Sequence, residues 1–318
     1  MLVNLYKSKT PLSVFTLPLL VALMCISIFF KETQVDLNFF KWQTDFLAPI
    51  QSILVVNFLC SFCIISINAH QLNSVFNKNR FFSKESYLPG FIYLLFLVTI
   101  ESLSFTSMLI AHLFFIGALS SLLKLRRQEP AKSLLFTASF LLGLGIIFSP
   151  IMIPLVLLPW VALSIIKPFN LREWLVPVFG VALPVFYHYS FYFLATGTLN
   201  ILTVDITMQN PEITWDITES LSYIVATFAM LVGVFKFLRV MSGQVVNFKK
   251  MSQIVLVMLV LCFISFVIAW YFYGQLYVAF ILPLTIIMSV QTLNATRVQL
   301  ADGLILAWFI IGGINLFV

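Results

Sequence analysis

Charge is what this sequence has least of. Only 9% of its 318 residues are charged, 18 Lys and Arg against 12 Asp and Glu, while 61% are hydrophobic and the mean hydropathy is +1.05. Soluble domains carry roughly a quarter charged residues, and a chain with so little polar surface cannot cover a water-facing exterior. A soluble globular enzyme is therefore excluded. Disorder is excluded too, because it requires low hydrophobicity and high net charge. Cysteine is scarce: the four residues lie scattered in apolar runs, which argues against a disulfide scaffold. Cys60 and Cys63 form a CxxC flanked by Leu59, Phe62 and Ile64. Thiolate chemistry needs polar surroundings, so these residues are expected to pack. No Gly-rich phosphate loop is present, nor an aromatic-and-basic pattern for nucleic acid. His70, His112 and His188 stand in separate segments without a ligand partner at helical spacing. Neither a metal nor a cofactor is expected.

What the chain does have is long apolar runs. A spanning helix needs about 20 mostly apolar residues, and such runs occupy about 12–30, 48–67, 174–195, 220–238, 252–272, 275–291 and 302–318. Two further stretches, 88–123 and 133–166, are too long for one helix. The first is interrupted around Glu101 to Ser107 and the second at Ser149 and Pro150, so each reads as a tight pair of helices. The expectation is an all-α transmembrane bundle of about 11 helices, since only helices and closed barrels satisfy their backbone groups in lipid. It forms a single integral membrane domain over 1–318. The first run follows Lys7 and Lys9 but has no small-residue cleavage site, and it reads as an uncleaved first helix.

Lys and Arg set the orientation. With the N-terminus inside, every basic residue except Lys31 and Lys41 falls in an inner segment, and Glu32, Asp36, Asp45, Asp205, Glu212, Asp216 and Glu219 fall outside. The C-terminus is then outside. The net charge of +6 belongs to this asymmetry and to anionic lipid, and points to no nucleic-acid partner.

Ionisable groups near the apolar stretches are the candidate site residues. Glu101 lies at the outer turn of the 88–123 pair. A short hairpin would sink it into an outward-facing cavity, whereas a full-length one would leave it at the water interface as a turn residue. His188 sits in Phe186-Tyr187-His188-Tyr189 near the outer end of a span, where it suits an anionic substrate or an aromatic interfacial belt. The first outer segment, 31–47, carries Asp36 and Asp45 among Phe39, Phe40 and Trp42, the pattern of a short interfacial helix. The second, 196–219, is acidic and contains no basic residue. Polar segments at 68–89 and 236–253 read as inner connectors near headgroups, anchoring topology or binding phosphate.

The order of these features over 1–195 resembles the GT-C superfamily of polyprenyl-phosphate-dependent membrane glycosyltransferases. In that family a first helix precedes an outer loop with an acidic catalytic residue, a place held here by Glu32, Asp36 and Asp45. A later short hairpin carries an acid at its outer turn, as Glu101 does. The small-residue stretch from Thr137 to Pro150, with Gly143 and Gly145, looks like the helix that follows, although Ser149-Pro150 stands where a basic residue often meets the lipid phosphate. The whole chain also resembles an uncharacterised polytopic inner-membrane family of Bacteroidota, through its Lys-Ser-Lys-x-Pro opening and Arg-Glu-Trp-Leu at 172–175. The likenesses imply Asp36 or Asp45 as catalytic base, Glu101 as accessory acid, and His188 with Tyr187 as substrate contacts. They imply membrane lipids and a polyprenyl-phosphate-linked sugar as partners. The alternatives are a non-catalytic partner in an assembly of envelope proteins, or a transporter, for which no internal repeat is found.

Overall fold

The computed structural model describes residues 5–8, 11–30, 41–100, 103–127, 131–197, 217–273, 280–295 and 298–317. Among the described residues every regular element is helical. The chain runs through α1 (Pro11–Cys25, prolonged by a 3-10 turn, Ile26–Phe29), α2 (Lys41–Ser52), α3 (Leu54–Lys78), α4 (Leu88–Ile100), α5 (Ser107–Lys124) and α6 (Ala131–Phe148). A 3-10 segment, Pro150–Leu157, leads into α7 (Leu158–Ile166), followed by α8 (Leu171–Trp174), α9 (Val176–Thr196), α10 (Ile217–Ser242), α11 (Val246–Tyr273), α12 (Ile281–Leu293) and α13 (Val298–Phe317).

Six stretches among the described residues are long and apolar enough to cross a bilayer: Pro11–Phe29, Leu54–Lys78, Ser107–Lys124, Ala131–Phe148, Leu171–Thr196 and Val246–Ala269. Three further apolar segments are shorter, Leu88–Thr99, Pro150–Ile166 and Ile281–Leu293. The protein is thus an apolar helix bundle of membrane type, with lipid as its natural surroundings.

Both long apolar stretches are divided. The first breaks between α4 and α5. The second breaks at Ser149, after which Pro150 and Pro154 cannot donate backbone hydrogen bonds and the chain continues as a 3-10 segment before α7. Two boundaries differ from the sequence reading. Residues 48–52 belong to α2, which ends at a break where Ile53 is extended (φ −99°, ψ 100°), and α3 runs on to Lys78. The polar segment from residue 68 is therefore not an interfacial connector along its length. Asn68 and Asn73 lie on the buried face of α3. Helical continuation there depends on partners for each carboxamide, and these come from the α4–α5 pair, as described below.

α4 and α12 form the centre. Each has 13 residues, about 20 Å of helix at 1.5 Å per residue, against a bilayer core of about 30 Å. Leu88 to Thr99 and the whole of α12 are buried. A helix apolar on all sides belongs inside a bundle, and α4 packs against α3, α10, α12 and α13. Thr285, Ser289 and Thr292 in α12 each donate to the carbonyl four residues back, at 2.7, 2.6 and 2.9 Å, so their hydroxyls need no outside partner. α9 is peripheral. It leans on α6, with Phe179, Phe186, Phe191 and Leu194 exposed.

Candidate functional site

The polar groups that organise the bundle start on α3. Its buried face carries Asn57, Ser61, Asn68 and Asn73, and each asparagine ties down the α4–α5 pair at a different height. Asn73 accepts from the Gly90 amide at 2.7 Å. Gly90 has to be glycine for this approach, since a Cβ there would stand 2.7 Å from Asn73 Nδ2 and 3.0 Å from the Ala69 carbonyl. Asn68 donates to the Leu109 carbonyl (2.9 Å) and the Tyr93 hydroxyl (3.2 Å), and Tyr93 shares a 3.0 Å hydrogen bond with His112 Nδ1. Without a hydrophobic force between helices in lipid, such bonds and close packing hold helices together.

Asn57 builds the turn between α4 and α5. Its Oδ1 accepts from the Phe105 amide (2.9 Å) and from Ser61 Oγ (3.2 Å), while its Nδ2 donates to Ser104 Oγ (3.1 Å). Thr106 caps α5 by accepting from the Leu109 amide at 3.3 Å. Leu103, Ser104, Phe105 and Thr106 are all buried, the most open of them only 8% exposed. Residues 103–106 of the turn are therefore sunk in protein.

α2 covers it. Gln43 and Leu47, one turn apart, are both 1% exposed and face the bundle, while Phe46 on another face is exposed. Gln51 Nε2 donates to the Phe105 carbonyl at 2.8 Å. Gln43 Nε2 donates to the carbonyls of Ile147 and Phe148, each at 3.0 Å. These carbonyls close the C-terminal end of α6, where the helix has no partner of its own to offer. Two glutamines thus lash α2 across the ends of α5 and α6. Of the segment 31–47, residues 41–47 are helical in α2, which runs on to Ser52, and residues 31–40 lie outside the described residues.

The predicted site residues fall as follows. Asp45 is on α2, between the two lashing glutamines; its side chain, like Asp36 and Glu101, lies outside the described residues. Glu101 is two positions before the buried Leu103 in sequence. The acidic segment 196–219 falls mostly outside the described residues as well. His188 and Tyr187 are on α9. α6 and α9 run parallel, with Gly180 against Ser139 and Gly143 against Pro184, so His188 is level with Ile147 and hence with Gln43. His188 is half-buried, its ring 5.5 Å from that of Tyr189. Tyr187 is exposed and packs between Phe186 and Phe191. α2 and the turn are brought together directly, and α9 packs on α6.

Sequence reasoning missed Gln43, Gln51 and Asn57, and it treated His112 only as a lone histidine. A signal was available in the three asparagines at 57, 68 and 73, since polar groups on the inner face of a spanning helix require partners. His112 Nε2 and Asn68 Oδ1 are buried without a hydrogen-bond partner. No group of three His, Cys, Asp or Glu suited to a metal occurs among the described residues. Compared with known families, with curated proteins and with solved structures, the chain matches none.

Proposed function

We propose that the chain crosses the bacterial inner membrane eleven times, N-terminus inside and C-terminus outside. We read it as a GT-C-like glycosyltransferase, or a degenerate relative of one, acting on polyprenyl-phosphate-linked glycans at the outer face. The observation that carries the reading is the lashing of α2, which bears Asp45, over the sunken turn next to Glu101. A short hairpin roofed by a helix that carries an acid is the arrangement this reading requires, and Glu101 stands two positions before the buried Leu103 in sequence.

The orientation draws support from the other end of the bundle. Lys78 ends α3 and Arg80 and Lys84 follow it, Lys124 ends α5 and Arg126 lies in the 3-10 turn after it, and Lys249 and Lys250 lie near the start of α11. Arg126 donates to the Asn79 carbonyl at 3.3 Å, and Phe81 packs on Phe248 at 6.0 Å, so these segments share the end opposite α2.

In this mechanism an acceptor hydroxyl attacks the anomeric carbon and the bond to the polyprenyl phosphate breaks. Asp36 or Asp45 takes the hydroxyl proton as general base, and Glu101 assists. His188 and Tyr187 contact the donor near the departing phosphate, where donors and cations stabilise developing charge. The test replaces Asp36 and Asp45 by Asn and Glu101 by Gln, one at a time, and follows surface-glycan assembly while checking that the protein accumulates. Loss of glycan with either aspartate variant at normal protein level supports the transferase. Full glycan in all three variants replaces it with a non-catalytic role beside other envelope proteins.

A further inference from the structure

The basic end holds an uncommon backbone turn. α3 finishes in a Schellman arrangement: the Phe81 amide reaches back to the Phe76 carbonyl (3.3 Å) and the Arg80 amide to that of Asn77 (3.0 Å). The accompanying apolar contact is present, Phe81 stacking on Phe76 with ring centroids 5.5 Å apart. This motif needs one left-handed residue, which is normally glycine. Here it is Arg80, at φ +53°, the only non-glycine residue with positive φ among those described. A left-handed conformation disfavours any residue with a Cβ. An arginine in this conformation, with its side chain exposed, points to a role for the guanidinium rather than for the backbone.

The surroundings identify what the guanidinium meets. The Arg126 terminal nitrogen lies 3.3 Å from the Asn79 carbonyl, whose carbon is bonded to the Arg80 nitrogen, so two arginines from different segments flank one peptide unit. Phe81, the next residue, packs edge-on against Phe248 at 6.0 Å, which brings the first turn of α11 to the same end of the bundle, where the Lys250 ammonium donates to the Ile166 carbonyl at 3.3 Å. Lys84 is exposed on the connector 79–87, in which Glu85 is the one carboxylate. Arginine forks match phosphate oxygens with paired hydrogen bonds. Placed at the end of a membrane bundle, such a cluster meets lipid headgroups.

We infer that the Arg80 turn, with Arg126 and the first turn of α11, is a binding site for the phosphate of an anionic lipid headgroup. The site lies at the opposite end from α2 and stands independently of the transferase reading.

The experiment uses the full-length protein in nanodiscs of phosphatidylcholine, with and without phosphatidylglycerol, and reads the melting temperature. A parallel arm adds inorganic phosphate to the protein in detergent. The variants are Arg80→Gly, Arg126→Gln and, as a control for equal loss of charge outside the turn, Arg172→Gln. Wild type is expected to gain several degrees from phosphatidylglycerol. Arg80→Gly relieves the left-handed strain, so it should melt higher than wild type in phosphatidylcholine yet lose at least half of the anionic-lipid gain. Arg126→Gln should lose a similar share, and Arg172→Gln should keep nearly all of it. An undiminished gain in Arg80→Gly, or an equal loss in Arg172→Gln, overturns the site. A gain from inorganic phosphate as large as that from the lipid overturns the lipid assignment.

Discussion

Gly143 provides the sharpest test of how the bundle is packed. It sits where α6 meets α9, and a Cβ built on it would stand 2.5 Å from Pro184 Cγ, 2.9 Å from the Val181 carbonyl oxygen and 3.3 Å from Val181 Cα. Comfortable separation between carbon atoms is about 3.5–4.0 Å. A single methyl therefore asks for about 1 Å of extra space. Neither partner can yield it by rotating, because one is a proline ring and the other backbone. The helices must separate, and Gly180, whose own Cβ would stand 2.6 Å from Ser139 Cβ, would lose its contact with them. Overpacking of this kind costs about 1–3 kcal/mol. At about 2–4 °C per kcal/mol for a chain of this order of size, Gly143→Ala should melt several degrees below wild type in detergent. Gly243→Ala is the control, since no atom lies within 4 Å of the position its Cβ would take. Adding Pro184→Ala should return part of the loss by removing the nearest atom, while the Val181 carbonyl keeps the rescue incomplete. If Gly143→Ala melts within a degree of wild type, α6 and α9 are not in contact at this point and the reasoning fails.

Two further outcomes are expected. Tyr93→Phe removes the hydroxyl shared by Asn68 and His112; bonds of this kind between membrane helices contribute about 0.6 kcal/mol on average and up to about 1.7, so thermal melts should show a modest loss, and a fall beyond that range would reveal that the hydroxyl organises more than these two partners. Single cysteines at Asn77 and Asn210, in a background lacking the native four, should label from opposite sides of the membrane, the first from inside and the second from outside; labelling of both from one side refutes the topology.

The class of fold was plain from composition, because apolar content on this scale admits only a membrane bundle. The breaks were legible too, at Ser149-Pro150 from a proline's missing donor and between α4 and α5 from a cluster of short polar side chains. The small residues of α6 behave as their size suggests: Ala138, Ser139, Gly143 and Gly145 are all buried. The extent of α3 was not legible. Asn68, Asn73 and Asn77 read as a polar connector because hydropathy treats an asparagine alike whether it faces water or a partner helix, and the partners, Tyr93, Gly90 and Ser86, lie up to 25 residues away. The same blindness hid Gln43 and Gln51, whose acceptors are backbone carbonyls that leave no mark on sequence. Asp45 was legible as an acid in a loop; that its helix closes over the hairpin turn depends on contacts 54 and 104 residues distant.

The central position of α4 bears on the order in which the bundle can be made. A ribosome delivers α4 early, with α3 beside it, yet it also packs against α10, α12 and α13. The Trp308 indole that donates to Thr99 at 2.7 Å is synthesised 209 residues later. Until then, that flank of this short helix stands open to lipid. Assembly therefore finishes only when the last third of the chain arrives, and a nascent chain halted after α9 presents a bare seam of the kind that membrane chaperones shield and membrane proteases cut.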